Sequence, residues 1–176
     1  AWAVDEQLLA VDPSLRLVAP KRGRTLPRVA TTAALDTVLD TATADAADGD
    51  PLALRDAAML ELLYASALRV AELCGADIDD LDRSRRTIRV VGKGSKERIV
   101  PYGDPAARAL DAYISRARPV LAARGAGSAA LFLGARGART GTRAAYDVVA
   151  RPLAPELGVA TVGPHAFQPV QRRFQR

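Results

Sequence analysis

The chain has 176 residues, a formal net charge of +5 and a pI near 9.9, which points to an anionic partner, with nucleic acid first. A single cysteine, Cys74, and a single histidine, His165, exclude an internal disulfide, a multi-cysteine or His-cluster metal site, and two-histidine catalysis. No apolar run is long enough to span a membrane, and with only 5% aromatic residues the core must rest on Leu, Val and Ala, so a helical cytoplasmic domain is expected.

Ala1–Ala10 reads as a helix in which Trp2, Leu8 and Leu9 share a face; it has no cap and resembles the tail of a preceding element. Pro13–Ala30 follows with five cations (Arg16, Lys21, Arg22, Arg24, Arg28) and no acid, the composition of an extended basic linker. Thr31 or Thr32 offers an N-cap to a helix carrying Leu35, Val38 and Leu39, which ends near the Asp45–Pro51 turn. Asp36, Asp40, Asp45, Asp48 and Asp50 make this stretch acidic, so charge of opposite sign falls on different parts of the chain. Leu52–Ala67 is apolar at nearly every position around a helix, which predicts the central one. Arg69 stands at its end between Leu68 and Val70. Two readings are open: a structural arginine that pairs with Glu72 or caps helix carbonyls, or a guanidinium held for a phosphate.

Thr87–Val91 and Ile99–Val100 flank the turn Gly92-Lys93-Gly94-Ser95, and Ile88 and Val90 alternate with Arg89. This predicts a β-hairpin with Lys93 near its tip. Between Arg85 and Arg98 lie six cations (Arg85, Arg86, Arg89, Lys93, Lys96, Arg98) and one acid, Glu97, either a solvated basic face or a polyanion contact. Asp104–Ala123 reads as an amphipathic helix that Pro119 breaks or shortens, and Leu131–Leu133 as a short strand. A glycine-rich loop over 134–141, with Arg136 and Arg139, leads to a helix capped by Thr142 and running through Val149, with Arg143 in its first turn. Beyond Ala166 the apolar pattern fades, and Phe167–Arg176 carries three arginines.

Four stretches carry a resemblance: Leu62–Leu73 (LLYASALRVAEL), Val91–Arg98 (VGKGSKER), Leu131-Phe132-Leu133 and Gly163-Pro164-His165. In this order and spacing they resemble the tyrosine recombinases of the phage integrase family, the Xer type in particular. Lys21–Pro27 is similar to that family's interdomain linker. The resemblance implies an α+β fold, mostly helical with a small antiparallel sheet. It divides the chain into the tail of a core-binding domain (1–12), a basic linker (13–30), a partial catalytic domain (31–166) and a divergent tail (167–176). It also implies metal-free and cofactor-free DNA cleavage, in which a tyrosine attacks the scissile phosphate and forms a 3′-phosphotyrosyl link.

Carried over residue by residue, Arg69 is the first arginine of the phosphate clamp, Lys93 the general acid of the hairpin, and His165 the opening residue of a His-x-x-Arg box. Lys21, Arg22, Arg24, Arg89, Lys96, Arg98, Arg139 and Arg143 are the expected DNA-binding residues. Duplex DNA and a second recombinase protomer are the implied partners. The sequence departs from the family at Gln168, where the second clamp arginine is expected, and at Ala67, where a glycine is usual. The four tyrosines (Tyr64, Tyr102, Tyr113, Tyr146) all precede His165, so the nucleophile is missing. The expectation is a DNA-binding recombinase fragment, incomplete at its C-terminus and inactive alone. The alternatives are a dead DNA-binding remnant or competitor of a full-length relative, and a helical protein whose basic hairpin binds RNA or another polyanion.

Overall fold

Asp50-Pro51 starts the element that the helices from Thr32 onward pack around. In the computed structural model, which describes residues 2–11, 30–92 and 94–158, Asp50 accepts hydrogen bonds from the backbone N–H groups of Leu52 (3.1 Å) and Ala53 (2.8 Å). Pro51 then occupies the first helical position, where its missing N–H costs nothing. The resulting helix α3 (Pro51–Ser66) buries Leu54, Ala58, Met59, Leu60, Leu62 and Leu63, as its all-round apolar pattern predicts. Before it come α1 (Trp2–Asp5) and α2 (Thr32–Asp45); after it comes the short α4 (Val70–Gly75). Thr31 caps α2 through the N–H of Ala34, and Leu35, Val38 and Leu39 face the core.

A 3₁₀ turn (Ile78–Asp80) leads into a three-stranded antiparallel sheet ordered β1 (Leu81–Asp82), β2 (Thr87–Val91), β3 (Glu97–Pro101). In the hairpin register, Val90 lies opposite Arg98 and Arg89 opposite Ile99. Side chains alternate across a strand, so Ile88, Val90, Arg98 and Val100 share the inner face, and Arg89, Val91, Glu97 and Ile99 the outer one. Helix α5 (Asp104–Ala112), a π-helical segment (Tyr113–Ala117) and α6 (Arg118–Ala122) follow, and α7 (Thr142–Glu156) returns against α2, α3 and α4. The described residues are mostly helical with a small antiparallel sheet, as expected.

Four expectations change. The first helix is a single turn: Gln7 takes a left-handed conformation (φ 58°), and Trp2, Leu8 and Leu9 are exposed, so no packing supports a longer one. Pro119 does not break its helix. The π segment shifts the hydrogen-bond register just ahead of it, with Arg118 N–H bonded to Tyr113 C=O, and the proline falls in the first turn of α6. Leu131–Leu133 is not a strand of the sheet; only isolated bridges, Asp77 with Ala130 and Leu133 with Arg139, flank it. Its backbone is held by Tyr113, whose buried hydroxyl donates to Leu131 C=O (3.1 Å) and accepts from Leu133 N–H (3.0 Å). Finally, α7 starts from Gly141 as its N-cap and runs past Val149 through Pro152 and Pro155. Burial of Val148, Val149 and Leu153 offsets the helix-breaking cost of about 3 kcal/mol per interior proline. The basic linker, Lys93, His165 and the tail from 159 lie outside the described residues.

Helix α3 ends in a left-handed C-cap at Ala67 (φ 56°, ψ 30°), the position where the resemblance expects glycine. A Cβ in this conformation costs on the order of 1 kcal/mol. Ala67→Gly is therefore expected to stabilise the protein by about 0.5–1 kcal/mol, raising the melting temperature by ~2 °C in a thermal unfolding scan.

Candidate nucleic-acid interface

The site begins where α3 hands over to α4. Arg69 is the N-cap of α4, with backbone angles of −72° and 147°. Leu68 and Val70 on either side are buried, which pins the backbone, while the Arg69 side chain is 67% exposed. An arginine has no acceptor with which to cap a helix, so α4 is capped from within. Three residues on, Glu72 reaches back, and its Oε2 accepts the Arg69 backbone N–H at 2.8 Å.

Glu72 is the centre of the cluster. Its side chain is only 4% exposed. Its Oε1 accepts Arg69 Nη1 (2.9 Å) and Arg98 Nη1 (2.8 Å), and its Oε2 also accepts Arg98 Nη2 (2.8 Å). Burial by itself pushes the Glu72 carboxyl up. Hydrogen bonds from Arg98 and from the Arg69 backbone, with the charge of Arg98, outweigh it and hold the group below its ordinary value of 4.5. Hydrogen bonding to Glu72 in turn pushes Arg98 up. The trio carries two positive charges and one negative, leaving a net positive charge beside the turn end of the hairpin.

The remaining predicted residues divide by what holds them. Arg89 faces outward, paired with Asp80 (2.5 Å) and Glu97 (3.3 Å). Lys96 is exposed and makes no ion pair among the described residues. Arg143 is exposed in the first turn of α7, 3.6 Å from Asp147. Arg139 is engaged elsewhere: it donates to the carbonyls of Cys74 (3.0 Å), Gly75 (3.0 Å) and Ala76 (3.1 Å), closing the C-terminal end of α4, and pairs with Asp77. Arg69 and Arg139 thus bracket a six-residue helix. Lys21, Arg22, Arg24, Lys93 and His165 lie outside the described residues.

Sequence reasoning missed two features. The Arg98–Glu72 fork joins residues 26 positions apart, which no local pattern signals. Arg118, whose guanidinium donates to Ser128 and Ala130 carbonyls (3.0 and 2.8 Å), holds the turn before Leu131 and carried no motif. A cleft of about 690 Å³ lies between α2, α3 and α7 and shares no residue with the Glu72 cluster. On its wall burial pushes Asp56 up against the opposing pull of Arg55, 2.5 Å away. Among the described residues no group of acids, histidine or cysteine has the arrangement of a metal site, and no helix is long and apolar enough to cross a membrane.

Residues 32–168 match the profile of the Phage integrase family. Tyrosine recombinase XerC of Mycobacterium sp. (strain KMS) is 49% identical over 168 residues, which cover 96% of this chain and 56% of the relative. Tyrosine recombinase XerC of Mycobacterium tuberculosis (strain ATCC 25177 / H37Ra) is 47% identical over the same shares. The chain thus spans little more than half the length of these relatives. In structure it is similar to the XerA recombinase (TM-score 0.66, 23% identity, 86% of this chain and 53% of that one). It is also similar to the XerH site-specific recombinase bound to difH substrate in a pre-cleavage complex (TM-score 0.66, 18% identity, 89% and 46%). A lambda integrase dimer bound to a COC′ core site gives a TM-score of 0.58 at 15% identity, covering 98% of this chain and 60% of that one. At these identities the structural likeness establishes the fold.

Glu72 also sets a pH dependence. Its folded value is depressed, so its stabilisation is fully present above the unfolded value and is lost as pH falls through the folded one. Glu72→Gln is expected to cost about 2–4 kcal/mol at neutral pH, because two guanidiniums lose a buried charged partner. Glutamine does not titrate, so the gap between variant and parent should narrow below about pH 4 in denaturant titrations. A gap independent of pH from 7 to 3 would show that the charge of Glu72 is not what matters.

Proposed function

The chain belongs to the phage integrase family, and from that premise we propose that it is a DNA-binding part of an Xer-type site-specific tyrosine recombinase. The observation that carries the reading is Arg69, a solvent-facing guanidinium on a pinned backbone, tethered to a buried carboxylate beside a basic hairpin. A fixed, exposed fork of this kind suits a phosphate, since its orientation is settled before the ligand arrives. The DNA-bound state of related recombinases such as XerH supports duplex DNA as the partner. The dimeric lambda integrase complex supports a second protomer.

In this reading each residue has one task. Arg69 holds a non-bridging phosphate oxygen as charge builds on phosphorus. Lys93 gives its proton to the departing 5′-oxygen, and His165 assists at the same phosphate. Lys21, Arg22, Arg24, Lys96 and Arg143 neutralise flanking phosphates. Arg89 is a weaker candidate, being already shared between Asp80 and Glu97. The attacking tyrosyl oxygen would replace the 5′-oxygen on phosphorus without loss of a high-energy bond. Two of the four tyrosines are ill placed for that role, since Tyr113 is buried with its hydroxyl bonded to backbone and Tyr102 is buried, and Gln168 stands where the resemblance expects the second arginine. In this reading the chain by itself acts as a binding module. The competitor reading differs only in biological use, and the location that fits either is the cytoplasm.

The protein should bind duplex DNA without forming a covalent adduct. If roughly 4–6 cations neutralise phosphates, log affinity should fall against log salt with a slope of about −4 to −5. On a nicked suicide duplex, a protein–DNA band that survives denaturation and disappears on mutating one of the four tyrosines would overturn the binding-module reading. Preference for single-stranded RNA over duplex DNA would favour the polyanion alternative. Arg69→Ala should weaken duplex binding and lower the salt slope by about 0.9, with the melting temperature changed by less than about 3 °C. A collapse in melting temperature would make Arg69 a structural residue.

A further inference from the structure

Resting on the DNA-binding reading, we propose that Arg98 is a positioning residue: its fork on Glu72 seats the β2–β3 hairpin against the helix that presents Arg69. The sequence groups Arg98 with the phosphate contacts of the hairpin, and three observations separate it from them. The first is facing. Arg98 lies opposite Val90 on the inner side of the sheet, whereas its neighbour Ile99 is 70% exposed on the outer side. A guanidinium on the inner face points at α4, not at a ligand lying along the hairpin's outer surface.

The second is saturation. Arg98 places both terminal nitrogens on both Glu72 oxygens at 2.8 Å, a planar match that lysine cannot reproduce. Turning Arg98 toward a phosphate would strip a buried carboxylate of two of its four donors. A surface phosphate contact does not repay that loss.

The third is location. A Cβ on Gly92, the first residue of the turn, would stand 3.6 Å from Arg98 Nη1 and 3.7 Å from Glu72 Oε1. The Gly92 N–H donates to Lys96 C=O at 2.8 Å, so the fork closes directly under the root of the turn. Further back along the hairpin, Ile88 and Val90 pack into the core. At the turn end, the fork is the polar tie to α4, and it shares Oε1 with Arg69. The position of the turn and the direction of Arg69 therefore answer to one carboxylate.

The test compares the parent protein with Arg98→Lys and Arg98→Gln by amide hydrogen exchange and by salt-dependent duplex titration. Both variants are expected to speed exchange at Gly92 and in the β2–β3 ladder by about tenfold or more beyond any change in the α3 amides. The salt slope should move by less than roughly half of the 0.9 that one phosphate contact contributes. Unchanged hairpin exchange, with affinity rescued by lysine and a slope cut by about 0.9 in the glutamine variant, would make Arg98 a phosphate contact and overturn the proposal. Equal acceleration of exchange in α3 would overturn it too, because Arg98 would then support the whole domain. If the parent protein fails to bind duplex DNA, the recombinase reading falls, and the exchange measurements still decide whether the fork seats the hairpin.

Discussion

A carboxylate withdrawn from water must be saturated with donors, and Glu72 imposes that demand on two elements at once. Its two oxygens accept the Arg69 backbone N–H, one Arg69 guanidinium nitrogen and both terminal nitrogens of Arg98. Each bond serves the fold and the site together. The backbone bond starts α4, the Arg69 side-chain bond limits where an otherwise exposed guanidinium can swing, and the fork ties in the hairpin. Without the carboxylate, two like charges would face each other at a helix start. The negative charge is thus what allows a pair of arginines to be concentrated here.

The same accounting changes what the basic composition means. Four of the cations that make the hairpin region positive have acidic partners: Arg85 with Asp82, Arg86 with Asp104, Arg89 with Asp80 and Glu97, and Arg98 with Glu72. Most of these pairs are exposed and contribute little to stability. They do lower the field that a polyanion meets. Arg118 and Arg139 are drawn off in another way, as donors to main-chain carbonyls. Net charge therefore overstates the charge available to a polyanion. The cations best able to meet an anion are those without a competing acid among the described residues, such as Lys96, or with one that orients them, such as Arg69.

Legibility in the sequence followed the range of the interaction. Helices α2 and α3 were readable because caps and apolar spacing act over three or four residues, as with Thr31 and Leu35–Leu39. The hairpin was readable because strand alternation and a glycine turn are equally local. The Arg69–Glu72 contact spans three residues, and the pairing it suggests is present, with the guanidinium still facing solvent. What escaped was long-range or set by competition. Arg98 finds Glu72 only after α4 and the hairpin are packed together. Pro119, Pro152 and Pro155 argue for helix ends that the π segment and the burial of Leu153 override. Leu131–Leu133 is apolar enough for a strand, yet its backbone partners are Tyr113 and neighbouring loops.

The turn between α3 and α4 shows how an exposed side chain can be fixed without being buried. Ala67 reverses the chain in a left-handed conformation, and Leu68 and Val70 are each drawn into the core on either side of Arg69. The Cα of Arg69 is therefore positioned by packing, and its guanidinium is confined by one hydrogen bond, while water still reaches it. A buried arginine would be equally rigid but would have to leave a low-dielectric partner to meet a phosphate. A freely exposed one would lose rotamer entropy on binding. The arrangement around Glu72 avoids both costs. Two residues before Arg69, Ala67 holds a left-handed conformation that a Cβ disfavours, so the strain of the reversal sits beside the site.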